Sequence, residues 1–231
     1  VGDELLRLLA PGQALRVVSF VNAHAVRRSM GEADFFADLM AAQRLYRDGT
    51  GMGMLMQKIG RDPGVNMNGT DLIPRILSAA DRTAHLALLG TREPRLSLAA
   101  AKLRAQGFAQ ITAADGFRPD GDYVELVRDA TPDIVLLGMG MPKQERIARL
   151  LAADDTIAAR DMLVINGGAI LDYLSGDVPR APDWMIRAGI EWAFRLVREP
   201  RRMYPRFRDS LAFARATRRY HAEVKARVEP H

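Results

Sequence analysis

The sequence predicts an α/β fold, a doubly wound and mainly parallel β-sheet flanked by helices, with a basic helical C-terminal appendage. Short apolar runs that end near glycine or asparagine alternate with segments whose apolar residues recur at helical spacing. This alternation is typical of parallel strands joined by crossover helices. From about Trp184 the pattern is helical only and becomes strongly basic. We therefore place an α/β domain at residues 1–190 and the basic helical appendage at residues 191–231.

Continuous apolar runs bounded by turn residues predict the strands. In chain order they are residues 14–21, 45–47, 86–89, 110–112, 134–137 and 162–165. Apolar residues spaced three or four apart predict the helices. In chain order these are residues 35–40, 54–59, 71–80, 94–106, 123–129 and 143–151. Ligands of such sheets bind beyond the carboxyl ends of the strands, so the segments just after the strands are the candidates for a site.

The stretch at residues 133–147, DIVLLGMGMPKQERI, has the form of strand, glycine turn and helix start. A helix N-terminus offers unpaired backbone N–H groups to an anionic ligand. Asn22, Asp48 and residues 166–168 also follow predicted strands. We expect these segments to converge on one site with residues 138–144.

Asp48 lies between a predicted strand and the glycine turn at residues 49–53. A carboxylate at a strand end can act as a general base. Asp-Gly is also a common turn pair, so an Asx turn or a helix cap is an alternative that the sequence leaves open. The turn reads G-x-G-x-G rather than the dinucleotide fingerprint G-x-G-x-x-G, which gives little support to NAD binding.

The sequence gives little indication of a metal site. Asp120 and Asp122 form a D-x-D pattern, which many sugar transferases use to hold a divalent cation. Their position in a polar stretch just before a helix favours a solvated turn and helix cap instead. The four histidines are scattered and cysteine is absent, which excludes disulfides, thiolate nucleophiles and Cys-based metal sites.

The charge is concentrated near the C-terminus. The net charge is +5, and residues 195–227 hold eleven Lys or Arg against three acidic residues. Such a segment can lie on an anionic membrane, neutralise a diphosphate, or form a solvated charged face over a packed stripe. The chain lacks an apolar run of the roughly 20 residues that a membrane span needs and a secretory signal pattern, so we expect a soluble, cytosolic protein.

The motifs, taken in order, resemble the WecG/TagA/CpsF glycosyltransferases, glycosyltransferase family 26. The resemblance extends from about residue 14 to about residue 206. It rests on Asn22, Asp48-Gly49-x-Gly51, Gly69-Thr70-Asp71-Leu72, Gly138-Met-Gly140-Met-Pro142-Lys143-Gln144-Glu145, Arg180-Ala181-Pro182, Glu191-Trp192-x-x-Arg195-Leu196 and Glu199-Pro200-x-Arg202.

This resemblance implies an inverting, metal-independent glycosyltransferase that needs no cofactor. It implies transfer of a hexose or N-acetylhexosamine from a UDP-sugar to a polyprenyl-diphosphate-linked saccharide, in bacterial cell-surface or exopolysaccharide biosynthesis. The enzyme would be cytoplasmic and peripherally associated with the anionic inner face of the plasma membrane. It would bind no nucleic acid.

The resemblance also implies roles for individual residues. Asp48 matches the proposed general base and Gln144 a glutamine of the pocket, which makes both of them catalytic candidates. Candidate nucleotide-sugar contacts are Asn22, Asn68, Gly69, Asp71, Gly138, Gly140, Lys143 and Asp172. Arg195, Arg202 and Arg206 match arginines of the appendage that would meet the diphosphate leaving group.

Two positions depart from the family pattern. Phe20 stands where the family usually has threonine, and Asn66 where it often has arginine. Both positions would line the sugar pocket, and the missing cation argues against a uronic acid donor. Two alternatives stay open at this point: a metal-dependent D-x-D transferase, and a non-catalytic binding module whose basic tail holds membrane or nucleic acid.

Overall fold

The computed structural model describes residues 2–187 and 190–198, with the single positions 200, 201, 204, 208, 212 and 215. The strands are β1 (Arg16–Val21), β2 (Arg44–Arg47), β3 (Leu86–Gly90), β4 (Ile111–Ala114), β5 (Ile134–Gly138) and β6 (Leu163–Asn166). They form one six-stranded sheet in the order β2-β1-β6-β5-β3-β4. The pairs β1–β6, β6–β5, β5–β3 and β3–β4 are parallel.

Helices connect and flank these strands. Those of the first half are α1 (Gly2–Leu9), α2 (Ala23–Ser29), α3 (Ala33–Met40), α4 (Thr50–Lys58), α5 (Gly69–Ala79) and α6 (Arg95–Ala105). Those of the second half are α7 (Asp120–Ala130), α8 (Lys143–Ala153), α9 (Asp155–Ala158), α10 (Ile170–Ser175), α11 (Asp183–Arg187) and α12 (Glu191–Arg198).

Alternate residues of the central strands enter two separate cores, one on each face of the sheet. Leu86 and Leu88 of β3 pack with α5, α6 and α10 on one face, whereas Ala87 and Leu89 pack with α7, α8 and α9 on the other. A strand that is covered on both faces needs apolar residues at every position, and the LALLG sequence of β3 meets that need. The predicted α/β class, with a parallel sheet and helices on both faces, is therefore confirmed.

Several predicted details were wrong. α4 begins at Thr50, inside the predicted glycine turn at residues 49–53. α7 begins at Asp120, three residues before its predicted start, so the D-x-D pattern lies in a first helical turn rather than in a polar loop. α5 is capped by Asn68, not by Thr70 or Asp71. The sequence analysis also missed the short helices α1, α2, α9 and α10.

The described residues divide into two compact units. The sheet unit comprises residues 2–20, 33–46 and 67–179, and the Asp48 unit comprises residues 21–32, 47–66 and the described residues from 180 onward. In the Asp48 unit, Ala23 and Met52 form a small core with the partly buried Val21, Val26 and Leu55. The domain boundary predicted between residues 190 and 191 stays a prediction.

Candidate functional site

Asp48 directly follows β2, and hydrogen bonds hold both its backbone and its side chain. Its N–H donates to the carbonyl of Val21 at 2.9 Å. Its carboxylate accepts a hydrogen bond from the Nδ2 of Asn22 at 3.4 Å. The N-cap of α4 is Gly49, with a φ of 87°, so the interpretation of Asp48 as a helix cap was wrong. The half-buried carboxylate thus lies beside an amide donor at a strand end.

Asn22 is itself held by the helix that follows it. Its Oδ1 accepts from the N–H of Ala25 at 3.0 Å and caps α2. Since the acceptor end of the amide is used by the helix, the donor end is turned to Asp48. A helix cap therefore orients an amide that donates to the candidate base.

In the sheet unit, four strand ends lie side by side. The register pairs Leu89 with Ala114, Gly90 with Gly138, and Leu137 with Asn166. A Cβ on Gly90 would lie 2.4 Å from the carbonyl carbon of Gly138, so the close approach of β3 and β5 requires glycine there. The prediction that the segments after β5 and β6 come together is confirmed within this unit. Their convergence with Asn22 and Asp48 stays a prediction.

Gln144 connects the loops that follow β5 and β6. Its Oε1 accepts from the N–H of Gly140 at 3.1 Å and from the N–H of Gly168 at 3.0 Å, and its Nε2 donates to Glu145 at 2.8 Å. The residue is only 2% exposed. This geometry fits a residue that positions two glycine turns, with φ values of 80° and 61° at Gly140 and Gly168. The glutamine amide is therefore occupied within the protein and shapes the two turns.

Lys143 is also engaged within the protein. Its Nζ donates to the carbonyls of Gly116 and Arg118 at 3.0 and 2.6 Å and lies 5.0 Å from the centre of the Tyr123 ring. The Tyr123 hydroxyl donates to the carbonyl of Asp115 at 2.6 Å, and burial raises the pKa of this phenol. Lys143 and Tyr123 therefore hold the loop between β4 and α7 against the start of α8.

Asp172 ties α10 to the end of β3. Its Oδ1 accepts from the Thr91 hydroxyl at 2.5 Å, and the Nη1 of Arg95 lies 3.7 Å from the same oxygen. Thr91 has a φ of 49°, a left-handed conformation that is unusual for a β-branched residue. Strained residues of this kind are often found at functional sites. Thr91 was missed by the sequence analysis, although its place directly after an apolar strand was a usable signal.

Asn68, Gly69 and Asp71 form the N-terminus of α5. Asn68 accepts from the N–H of Asp71 at 2.9 Å and donates to its carboxylate at 2.8 Å, a reciprocal cap. A Cβ on Gly69 would lie 3.2 Å from the ring of Phe20, which is only 6% exposed. Phe20 thus packs in the core against the start of α5, and its ring also lies 6.1 Å from that of Tyr46.

The first aspartate of the D-x-D pattern forms an ion pair with an arginine. The Oδ2 of Asp120 accepts from the Nε of Arg146 at 2.5 Å, and this hydrogen bond raises the pKa of the guanidinium. Asp122 lies in the same first turn of α7. Within the described part of the chain, no three His, Cys, Asp or Glu side chains are grouped so that they could hold a metal ion.

The three arginines predicted to contact the diphosphate lie mostly outside the described residues. Arg195 falls within α12, but its side chain, and all of Arg202 and Arg206, lie outside the described residues. In α12 the Arg198 guanidinium lies 5.5 Å from the centre of the Phe194 ring. Of the helices that can be described, none is both long and apolar enough to span a bilayer.

Comparison with known proteins identifies a matching family and related proteins. The model of the glycosyl transferase WecG/TagA/CpsF family matches residues 1–227. A Bacillus subtilis protein named N-acetylglucosaminyldiphosphoundecaprenol N-acetyl-β-D-mannosaminyltransferase is 27% identical over 189 residues, which cover 80% of this chain and 72% of that protein. Both matches agree with the resemblance read from the motifs.

Proposed function

The chain belongs to the WecG/TagA/CpsF family of glycosyltransferases, and from this premise we propose that it transfers a sugar from a UDP-sugar to a polyprenyl-diphosphate-linked saccharide, with inversion and without a metal ion. The transferred sugar is a hexose or an N-acetylhexosamine. The observation that carries the proposal is the Asp48 carboxylate, set at the end of β2 beside the Asn22 amide at 3.4 Å.

In the proposed reaction an acceptor hydroxyl oxygen attacks the anomeric carbon of the donor. The new C–O bond forms on the face opposite the diphosphate, so the configuration inverts. Asp48 takes the hydroxyl proton as general base, a role that contributes about 10²- to 10⁴-fold to a rate. The bond between the anomeric carbon and the diphosphate oxygen breaks, and UDP leaves with the electron pair.

The leaving diphosphate must be stabilised by donors that are already in place. In the sheet unit the start of α8, which follows the Gly138–Gly140 turn, supplies backbone N–H groups of the kind that bind phosphates. Gln144 keeps that turn in shape through Gly140 and Gly168. Arg195, Arg202 and Arg206 are proposed to supply the cationic charge.

The proposal also includes the acceptor and the cellular location of the reaction. The Bacillus subtilis relative is named for an undecaprenol-diphosphate-linked N-acetylglucosamine acceptor. We assign this chain an acceptor of that class, in cell-surface polysaccharide biosynthesis. The surplus of basic residues at 195–227 supports peripheral attachment to the anionic inner face of the plasma membrane.

The direct test is a donor screen. Purified protein is incubated with a panel of UDP-sugars and a synthetic polyprenyl-diphosphate N-acetylglucosamine, and released UDP and glycosylated lipid are both measured. We expect one donor to give a product whose new linkage has inverted configuration by NMR. Failure of every UDP-sugar, with transfer from another nucleotide sugar, would overturn the donor class. A retained configuration would overturn the single-displacement mechanism.

A further inference from the structure

Residues 60–66 border the turn that follows Asp48, and side chains hold the two segments together. Residues 61–68 lie in neither a helix nor a strand, and Gly60 and Gly64 have φ values of 71° and 55°. The bonds between the segments come from Arg47, directly before the candidate base, and from Asn66. Asp48 therefore sits within a turn that its neighbours build.

Arg47 uses all three guanidinium nitrogens on backbone carbonyls. Its Nε donates to Pro63 at 2.8 Å, its Nη1 to Gly49 at 3.0 Å and its Nη2 to Gly64 at 3.2 Å. A planar fork with donors on three atoms can reach three separate carbonyls, whereas a lysine carries its donors on a single atom. The guanidinium thus fastens the Gly49 turn to the 60–66 segment.

Asn66 completes the hold on Gly49. Its Oδ1 accepts from the Gly49 N–H at 3.0 Å, while the Gly49 carbonyl accepts from Arg47. The Gly49 nitrogen belongs to the same peptide group as the Asp48 carbonyl, so fixing that group fixes the ψ of Asp48. An arginine at position 66 would have no acceptor and could not make this bond.

The Arg47 guanidinium also packs closely against Gly53. A Cβ on Gly53 would lie 2.9 Å from the Nη1 of Arg47 and 3.4 Å from its Cζ. Gly53 lies inside α4, where glycine is a poor helix former. The last glycine of the G-x-G-x-G turn therefore leaves room for the Arg47 guanidinium, and the pattern does not require a phosphate ligand to explain it.

We propose that Arg47 and Asn66 are positioning residues that fix the Asp48 carboxylate in the direction needed for proton abstraction. This proposal rests on the proposed function of Asp48 as the base. Arg47 and Asn66 act through the Gly49 peptide group. Their loss should lower the rate of the chemical step while the donor still binds.

The first test compares Arg47→Met, Arg47→Lys and Asn66→Ala in the transfer assay. A small misplacement of a reacting group can lower a rate by up to about 100-fold. We expect Arg47→Met to lower kcat by about 10- to 100-fold with a KM for the donor near that of the parent, and Arg47→Lys to recover part of it. Arg61→Met, an exposed arginine of the same segment, and Gln57→Ala, an exposed amide of α4, are the controls.

Gly53→Ala separates positioning from stability. Alanine is the better helix former, so it offsets part of any stability that is lost when the Arg47 hydrogen bonds are disturbed. The added methyl group forces the Nη1 of Arg47 to shift, so kcat should fall, but by less than in Arg47→Met. This variant keeps the proposal testable if Arg47→Met fails to fold, and an unchanged kcat in Gly53→Ala would count against the proposal.

The last test combines Arg47→Met and Asn66→Ala, each separately, with Asp48→Asn. If both residues act through Asp48, they should cause no further loss there. A further loss as large as that in the single variants would overturn the proposal. Parent-level kcat in both single variants would also overturn it, provided that Asp48→Asn shows its expected loss. Parent-level activity of Asp48→Asn alone would instead overturn the proposed function, which keeps the two failures distinct.

Discussion

Polar side chains follow the strands in both compact units, but they are arranged differently in each. In the sheet unit, Lys143, Gln144 and Asp172 are bound to backbone or side-chain groups of neighbouring loops. In the Asp48 unit, Arg47 and Asn66 make the structural bonds, and both bind the backbone of Gly49 next to the half-buried Asp48. Under the proposed function, the sheet unit supplies shaped backbone and the Asp48 unit supplies the reactive group.

The largest effect should come from Asp48. Asp48→Asn keeps the size of the side chain but removes the proton acceptor, so kcat should fall by about 10²- to 10⁴-fold, the usual contribution of a general base. The KM for the donor should change little, because the ground-state contacts remain. The measurement is steady-state transfer with varied donor, and Asp62→Asn, an exposed aspartate of the same unit, is the control. Undiminished kcat in Asp48→Asn would end the assignment of the reactive group to this unit.

Gln144→Ala tests the structural role that the comparison assigns to the sheet unit. Gln144→Ala leaves the N–H groups of Gly140 and Gly168 without their acceptor. The free energy of unfolding should fall by about 1–3 kcal/mol for each group left unpaired. The loss should appear in urea unfolding, with Gln106→Ala, an exposed glutamine, as the control. A catalytic loss with unchanged stability would show instead that Gln144 acts directly on the substrate.

Thr91 tests the same unit with a smaller change. Thr91→Val keeps the β-branched shape but removes the hydroxyl that donates to the Asp172 carboxylate at 2.5 Å. A hydrogen bond to a charged group is worth about 1.5–3 kcal/mol, so unfolding in urea should become easier by that amount.

Thr131 provides a matched control for this change. It has a φ of 47°, close to the 49° of Thr91, and it is exposed at the end of α7. Thr131→Val therefore reports any effect of placing valine in a left-handed conformation. Equal losses in the two variants would attribute the effect to the backbone and would remove Asp172 as its cause.

The fold could be predicted from the sequence because each central strand is covered on both faces. That arrangement makes an unbroken apolar run such as Leu86–Leu89, which local sequence reveals directly. The start of α7 could not be predicted in this way. Asp120-Gly-Asp122 resembles a turn, and the contact between Asp120 and Arg146 joins residues 26 positions apart.

The candidate site was predictable to a different extent in the two units. Asp48 follows a strand directly, so its position could be read from local sequence alone. The bonds of Gln144 depend on the register of β5 with β6, and those of Arg47 depend on the path of residues 60–66. Contacts of this kind appear only after the chain has folded. Residue type at a strand end therefore predicts the location of a site better than it predicts the role of each side chain.

The smallest effect is expected from metal removal. Asp120, the first residue of the D-x-D pattern, is paired with Arg146 at 2.5 Å, which gives its carboxylate a structural partner in the sheet unit. Transfer should therefore be unchanged after treatment with EDTA, with a Mn²⁺-dependent glycosyltransferase treated in parallel as the control. Asp120→Asn should lower the free energy of unfolding by only about 0.2–1 kcal/mol, the range of partly exposed ion pairs. Activity lost in EDTA and restored by Mn²⁺ would place reactive chemistry in the sheet unit as well, and the division of roles between the two units would no longer hold.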